Sequence, residues 1–139
     1  MPQSPHSDLV TESIRIQAAA QYLPQESDPG ANRYVFAYKI TMLNEGPAKA
    51  RLLARHWIIL DSEGRREDVK GPGVVGEYPA LAPGESYSYI SYCPLKTSWG
   101  TMEGSYMFER DDGSRVQVRI GRFFLVPSAP PLSLESRAY

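Results

Sequence analysis

The sequence predicts an all-β domain folded as a two-sheet antiparallel β-sandwich, and three observations support this prediction. Successive segments alternate apolar and polar residues with a period of two, which is typical of half-buried strands. Turn-forming clusters of Gly, Pro, Asn and Asp separate these segments at a spacing of roughly 8–12 residues, as in sandwich domains. No convincing helical period appears in any window long enough for a helix.

The N-terminal half contains three predicted strands. The first begins near residue 12, and one of its faces carries Ile14, Ile16, Ala18 and Ala20. The second, over residues 33–43, is the clearest, because aromatic and β-branched side chains alternate along it. The third, over residues 51–61, includes the apolar run 57–60, which we expect to be buried on both faces.

The C-terminal half predicts hairpins. A turn at 61–64 leads into a short returning strand over 65–70, and residues 101–110 and 115–125 form a second hairpin. Between them, a strand over 86–92 is expected to stop at Cys93 and Pro94, because proline cannot donate to a sheet ladder. The predicted core consists of Tyr34, Phe36, Tyr38, Ile40, Trp57, Ile59, Tyr89, Tyr106, Phe108, Val116 and Val118.

These strands predict one domain over residues 12–126. Residues 1–11 are expected to be a flexible lead-in, because most of them are polar and proline occurs twice. Residues 127–139 carry Pro127, Pro130 and Pro131 among small polar residues, and they predict a Pro-rich tail outside the sandwich.

Composition excludes several classes of function. Fifteen basic and sixteen acidic residues give a net charge of -1, which disfavours nucleic acid as a partner. The single cysteine, Cys93, cannot form a disulfide within the chain. We expect no membrane span, because the longest apolar run is far shorter than the ~20 residues of a membrane helix. The N-terminus lacks a basic region followed by an apolar run, so we expect a cytoplasmic protein.

A glycine-rich stretch supplies the main candidate site. Gly71, Gly73 and Gly76 match the G-x-G-x-x-G pattern of pyrophosphate-binding turns. That pattern normally opens a helix, whereas Pro79 and Pro83 exclude a helix here. The glycines therefore indicate either loop geometry or a nest of backbone N–H groups that binds an anion. The candidate binding loop comprises Lys70, Gly71, Gly73, Val74, Val75, Gly76 and Glu77.

The two interpretations of this loop make different demands on charge. An anion would use Lys70 as its counter-charge and would be opposed by Glu77. For a protein partner, we expect an ordered surface loop over 71–76, with one of Val74 and Val75 packed inward and the other near the surface.

Shortly after the loop, Pro83 and Gly84 predict a type II turn that follows an inward-facing Leu81.

The residue pattern supplies no recognisable catalytic or metal site. His56 lies within a strand and is expected to be a packing residue, and Cys93 has no neighbouring base. Glu67 and Asp68 occupy consecutive strand positions, so their side chains should point to opposite faces, which disfavours a shared metal. We therefore expect no enzyme activity, no catalytic residue and no cofactor.

Several ordered motifs resemble the ApaG family over residues 12–126, nearly the whole chain. They are the runs 33–38 (RYVFAY), 73–79 (GVVGEYP), 81–85 (LAPGE) and 100–106 (GTMEGSY). The resemblance implies an immunoglobulin-like or fibronectin type III-like β-sandwich, in a bacterial cytoplasmic protein associated with cobalt resistance and magnesium efflux. Related domains in eukaryotic F-box proteins and in a polymerase-interacting protein imply a protein-interaction module. The family brings no established catalytic residues, and its glycine-rich loop maps onto Gly71, Gly73 and Gly76.

Two functional hypotheses follow. The favoured one is a non-enzymatic module that binds a protein partner and influences metal efflux indirectly, by an unknown mechanism. The alternative is a protein that binds a small anion or a nucleotide, such as pyrophosphate, through residues 71–76; we expect such binding to be weak.

Overall fold

Nine β-strands form most of the computed structural model, which describes residues 6–127. They are β1 (Ser7–Thr11), β2 (Ile14–Tyr22), β3 (Tyr34–Asn44), β4 (Ala50–Asp61), β5 (Arg66–Pro72), β6 (Ala80–Leu81), β7 (Ser86–Leu95), β8 (Gly100–Arg110) and β9 (Arg115–Leu125). Two single-turn 3-10 helices, Pro24–Glu26 and Pro29–Ala31, connect β2 to β3. The predicted all-β class is confirmed.

The strands build two antiparallel sheets that pack face to face. One sheet has the order β1-β2-β3-β7, and the other has the order β5-β4-β8-β9, with β6 also pairing with β4. Strands β1 and β9 adjoin, since the Arg119 backbone N–H donates to Thr11 Oγ1 at 3.2 Å. The opposite side of the sandwich is therefore bordered by two other edge strands, β5 and β7.

Alternating side chains fill the space between the sheets, as predicted. The Trp57 ring lies at the centre, with ring centroids of Tyr38, Phe123 and Tyr106 at 5.3, 6.0 and 6.3 Å. Eight of the predicted core residues are buried, namely Phe36, Tyr38, Ile40, Trp57, Tyr89, Tyr106, Phe108 and Val118. The other three, Tyr34, Ile59 and Val116, are partly buried and pack against them.

The predicted flexible lead-in is wrong where it can be compared, because Ser7–Thr11 form strand β1. This strand pairs with β2 through a two-residue turn at Glu12 and Ser13, which adopt positive φ angles of 51° and 65°. Neither residue type is characteristic of such a turn, so the sequence did not reveal the hairpin. Residues 1–5, and the predicted tail beyond Pro127, lie outside the described residues.

Strand β7 continues through Cys93 and Pro94, where it was predicted to stop. Pro94 lies opposite Val35, whose N–H donates to Ser27 Oγ at 2.8 Å and whose carbonyl accepts from Leu23 N–H at 2.9 Å. Both backbone groups of Val35 thus point away from β7. A proline is tolerated at this position because no donor is required there on an edge strand.

Burial of the run 57–60 on both faces is also wrong. Trp57 is buried, whereas Ile58 and Leu60 face the outside of their sheet and are half-buried. Ile58 pairs there with the exposed Asp68. An apolar run alone did not distinguish a strand that is half-buried on its outer face from one that is buried on both faces.

The predicted turn at Pro83 and Gly84 is present. The Glu85 N–H donates to the Ala82 carbonyl at 2.9 Å, and Gly84 has a φ of 85°, as the third position of a type II turn requires. The Glu85 carboxylate also accepts from the Ala82 N–H at 2.7 Å. Leu81, just before the turn, is buried as expected.

Gly84→Val is expected to destabilise the domain by about 1–3 kcal/mol, without any ligand being involved. A Cβ at this position meets open space, so the whole effect comes from forcing a β-branched residue to a φ of 85°. Urea unfolding of the two proteins measures the effect. An unchanged free energy of unfolding would contradict the turn assignment.

Candidate functional site

The second half of the glycine-rich stretch forms a tight hairpin. Val74 and Glu77 exchange backbone hydrogen bonds of 2.9 and 2.8 Å. The two residues between them, Val75 and Gly76, have positive φ angles of 43° and 80°, which is the pattern of a type I′ turn. We refer to residues 73–78 as the docking loop, because we propose below that they bind a partner.

Gly73 is required where the chain enters the docking loop. Its φ is 60°, and its N–H donates to the Leu53 carbonyl at 2.9 Å. A Cβ there would lie 2.5 Å from the backbone oxygen of Glu77, a distance that real Cβ atoms do not adopt. Substitutions of Gly73 therefore damage the loop itself and cannot isolate a binding function.

The two valines have different environments, as predicted. Val74 is fully buried in the core, whereas Val75 is 54% exposed at the tip of the turn. Val75 is also strained, because a β-branched residue is rarely found at a positive φ. Tyr78, 47% exposed, is a second large apolar side chain in the docking loop.

Two arginines of β4 fix the loop, and sequence reasoning missed both. Arg55 Nη1 donates to the carbonyls of Pro72 and Gly73 at 2.8 and 3.0 Å. Arg51 Nη1 donates to the Tyr78 carbonyl at 3.1 Å. Period-two alternation places Arg55 on the same face as the core residue Trp57. The sequence signal that could have identified Arg55 was a basic residue on a strand face otherwise directed toward the core.

Gly71 makes room for the Arg55 side chain. The two residues are cross-strand partners in β4 and β5, and a Cβ on Gly71 would lie 2.9 Å from Arg55 Nη2. Arg55 also pairs with Tyr106, whose hydroxyl is hydrogen-bonded to that of Tyr89 inside the core. Burial raises the pKa of both phenols, so they stay protonated beside the Arg55 guanidinium.

The predicted ordered loop over 71–76 begins later than expected, because Gly71 and Pro72 still belong to strand β5. Lys70 pairs with His56 and Gly71 with Arg55, so these neighbours face opposite sides of the sheet. The Lys70 side chain thus points away from the face on which Arg55 binds the loop. The candidate residues do not converge on a single ligand position.

The backbone donors expected for an anion are mostly engaged. The N–H groups of Gly73, Val74 and Glu77 all donate to carbonyls of the protein. The Arg55 guanidinium already binds the carbonyls of Pro72 and Gly73. Glu77 adds a negative charge to the loop. The pKa of the Tyr87 phenol is raised by the partial burial of that phenol and then by the Glu77 carboxylate.

A polar cluster lies on the outer face of the sheet containing β5. His56 Nε2 is 2.7 Å from Asp68 Oδ2, and Arg66 Nε donates to Asp68 Oδ1 at 2.7 Å. Hydrogen bonds from Arg66 and then His56 hold the pKa of the Asp68 carboxyl well below its usual range. His56 is thus hydrogen-bonded on an open sheet face, where it was expected only to pack.

Cys93 is buried in the core, and burial raises the pKa of its thiol to about 12. Among residues 6–127, no group of three or more His, Cys, Asp and Glu side chains is arranged to hold a metal ion. Within the same residues, no helix is long and apolar enough to cross a membrane.

Comparison with known proteins identifies the family. The family model described as the ApaG domain matches residues 24–110. The chain belongs to the ApaG family. It is 48% identical over 112 residues to Protein ApaG of Aromatoleum aromaticum, covering 81% of this chain and 88% of that protein. It is 46% identical over 120 residues to Protein ApaG of Anaeromyxobacter dehalogenans, covering 86% and 94%.

A solved structure of similar sequence has the same architecture. The crystal structure of the ApaA protein from Bordetella pertussis superposes with a TM-score of 0.80 at 40% identity, covering 93% of this chain and all of that one. The ApaG domain of this chain thus contains the docking loop and its two anchoring arginines within the matched residues 24–110.

Proposed function

We propose that this ApaG-family chain is a non-enzymatic protein-interaction module whose docking loop binds a protein partner. One observation carries the proposal: Val75 is held at a φ of 43° with 54% of its surface exposed. Residues in sparsely populated backbone regions cost about 1–3 kcal/mol and are concentrated at functional sites. An exposed, strained valine is better explained by binding than by folding, since Asn or Gly would suit the turn better.

The loop is preorganised for this role. Arg51 and Arg55 bind carbonyls at both of its ends, and the reciprocal hydrogen bonds of Val74 and Glu77 close its turn. A rigid loop loses little conformational freedom on binding, so its apolar tip can contribute more of its contact energy to affinity. Tyr78 enlarges that tip with an aromatic side chain of the kind enriched at binding hot spots.

The proposal includes a cytoplasmic location and an indirect link to cobalt resistance and magnesium efflux. The family resemblance supports both. A chain of this size would influence metal transport through its protein partner, such as a transporter or its regulator, and the docking loop is the surface that would reach that partner.

Weak nucleotide binding is the expected result of the loop's backbone geometry. Titration of isotope-labelled protein with ATP or pyrophosphate should shift the amides of residues 70–77 without saturation below about 1 mM, equivalent to roughly 4 kcal/mol. Engaged N–H groups and the Glu77 carboxylate are the physical reason. Saturating, localised shifts at micromolar ligand would favour the anion-binding alternative over a protein partner.

Affinity capture from the native cytoplasm tests the proposed partner directly. Val75→Asp places a charge at the exposed tip, and Asp tolerates a positive φ, so the fold should survive. Val10→Asp is the matched control, because Val10 is 41% exposed on β1, outside the docking loop. A protein retained by the parent and by Val10→Asp, but lost with Val75→Asp, supports the module. Equal capture by all three folded proteins would contradict it.

A further inference from the structure

Strand β7 differs in charge from the other long edge strands. The edges β1, β5 and β9 each carry charged residues, among them Asp8 in β1, Arg66 and Lys70 in β5, and Arg119 in β9. Residues 86–95 of β7 contain none. Natural proteins usually protect sheet edges with charges, prolines or bulges, because unpaired backbone groups recruit other strands. Pro94, near the end of β7, is the single device of this kind along the strand.

The unpaired backbone groups of β7 can be assigned from its partner strand. Within residues 6–127, β7 pairs with β3 alone. Val35 directs its N–H and carbonyl away from Pro94, so this pair is not hydrogen-bonded. Because hydrogen-bonded and non-bonded pairs alternate in an antiparallel ladder, Ser88, Ile90 and Tyr92 must also direct their backbone groups outward. The edge thus offers regularly spaced donors and acceptors.

The outer face of this edge presents apolar side chains. Tyr92 is 62% exposed, and Ile90, two residues earlier on the same face, is half-buried. Ser88 also lies on that face, and its hydroxyl is hydrogen-bonded to Thr41 Oγ1 at 2.9 Å. The face therefore alternates a small side chain, a branched one and a large aromatic one around Ile90.

We propose that β7 is a self-association edge, which pairs antiparallel with β7 of a second copy of this chain about a two-fold axis at Ile90. In that register Ile90 meets Ile90, and the large Tyr92 lies opposite the small Ser88 of the second copy. The pairing joins two four-stranded sheets into one continuous sheet. It is independent of the docking loop and of its partner.

Charge at the ends of β7 favours a second copy over an unrelated strand. Glu85 precedes the strand and Lys96 follows it, and both are exposed. An antiparallel pairing about Ile90 brings Glu85 opposite Leu95 of the second copy, next to Lys96 of that copy. The two-fold axis repeats this arrangement at the other end, so opposite charges neighbour each other at both ends of the paired strands, with their side chains directed to opposite faces. A parallel pairing would instead place like charges together.

Sedimentation velocity over a concentration series tests the proposal. The parent should show a reversible monomer–dimer equilibrium in the range of ~10 μM to ~1 mM, as expected for a small interface. Ile90→Lys brings two like charges together at the axis and should weaken association at least about tenfold. Val10→Lys, on the opposite edge, should leave it unchanged. A parent that stays monomeric over this range, or an Ile90→Lys protein that dimerises as well as the parent, would overturn the proposal.

A charge exchange tests the register. Lys96→Glu should weaken dimerisation, because it makes the neighbouring charges at each end of the paired strands alike. Adding Glu85→Lys in the same protein should restore association, since the charges are then opposite again. Thermal unfolding of each variant identifies any loss of fold, which matters because Glu85 also caps the Ala82 N–H. A folded double variant that associates no better than Lys96→Glu would contradict this register.

Discussion

Gly104→Ala is expected to destabilise the domain by at least about 3 kcal/mol, because the added Cβ would overlap the carbonyl oxygen of His56. Gly104 lies on β8 in the interior of its sheet, where β4 and β9 pair on either side. It also follows a register irregularity in the β8–β9 pairing. The neighbouring backbone therefore cannot move aside without disrupting both ladders. Urea unfolding measures the loss.

Gly30→Ala is the matched control for this substitution. Gly30 lies in the second 3-10 helix, and a Cβ there would make only an ordinary contact of 3.5 Å with the Asp28 carboxylate. Its effect on the free energy of unfolding should stay within about 0.5 kcal/mol, as for most surface substitutions. If both variants lost the same free energy of unfolding, close packing of β8 against β4 would not explain the loss in Gly104→Ala.

Phe36→Ala is expected to cost roughly 3–5 kcal/mol of stability. The Phe36 side chain is fully buried on β3, with its ring centroid 5.3 Å from that of Tyr22. Removing it leaves a cavity between the sheets that rigid strands cannot close. Phe124→Ala is the control, because it removes a phenyl ring from a residue that is 53% exposed. It should change the free energy of unfolding by no more than about 1 kcal/mol. Similar losses for both would contradict the assigned faces of β3 and β9.

Much of the fold was predictable because its core-facing residues alternate with a period of two. Along β3, the predicted apolar stripe from Tyr34 to Met42 coincides with the inward face. Register is fixed strongly in such strands, since a shift by one residue would expose the whole stripe. The turn at Gly84, with Leu81 buried just before it, was predictable for a different reason, because a type II turn has specific residue requirements.

The errors arose where context decides structure. The Glu12 and Ser13 turn has no characteristic residue types, so strand β1 was missed. Pro94 is compatible with a strand only because Val35 turns its backbone groups toward other partners. Neither fact can be read from local sequence, since the turn has no residue signature and the proline depends on the hydrogen bonds that Val35 makes elsewhere.

The candidate site was predictable in position but not in construction. The sequence located the glycines and foresaw that Val74 and Val75 would differ. It did not show that Gly71 accommodates the Arg55 guanidinium, while Gly73 avoids the Glu77 carbonyl. Two glycines of the G-x-G-x-x-G motif are thus required by two unrelated packing contacts. The strain at Val75 is also invisible in sequence, because it is defined by a backbone angle.

The central claim is that Val75 is retained for binding at a cost in stability, and Val75→Asn tests it most directly. Asn followed by Gly is a favoured pair for a type I′ turn, so this variant should gain about 1 kcal/mol of stability. It should also bind the partner captured through Val75 at least about tenfold more weakly, because the apolar tip is lost. Paired measurements of urea unfolding and of partner affinity by calorimetry give both values. A variant that is no more stable than the parent, or that binds the partner equally well, would contradict the account.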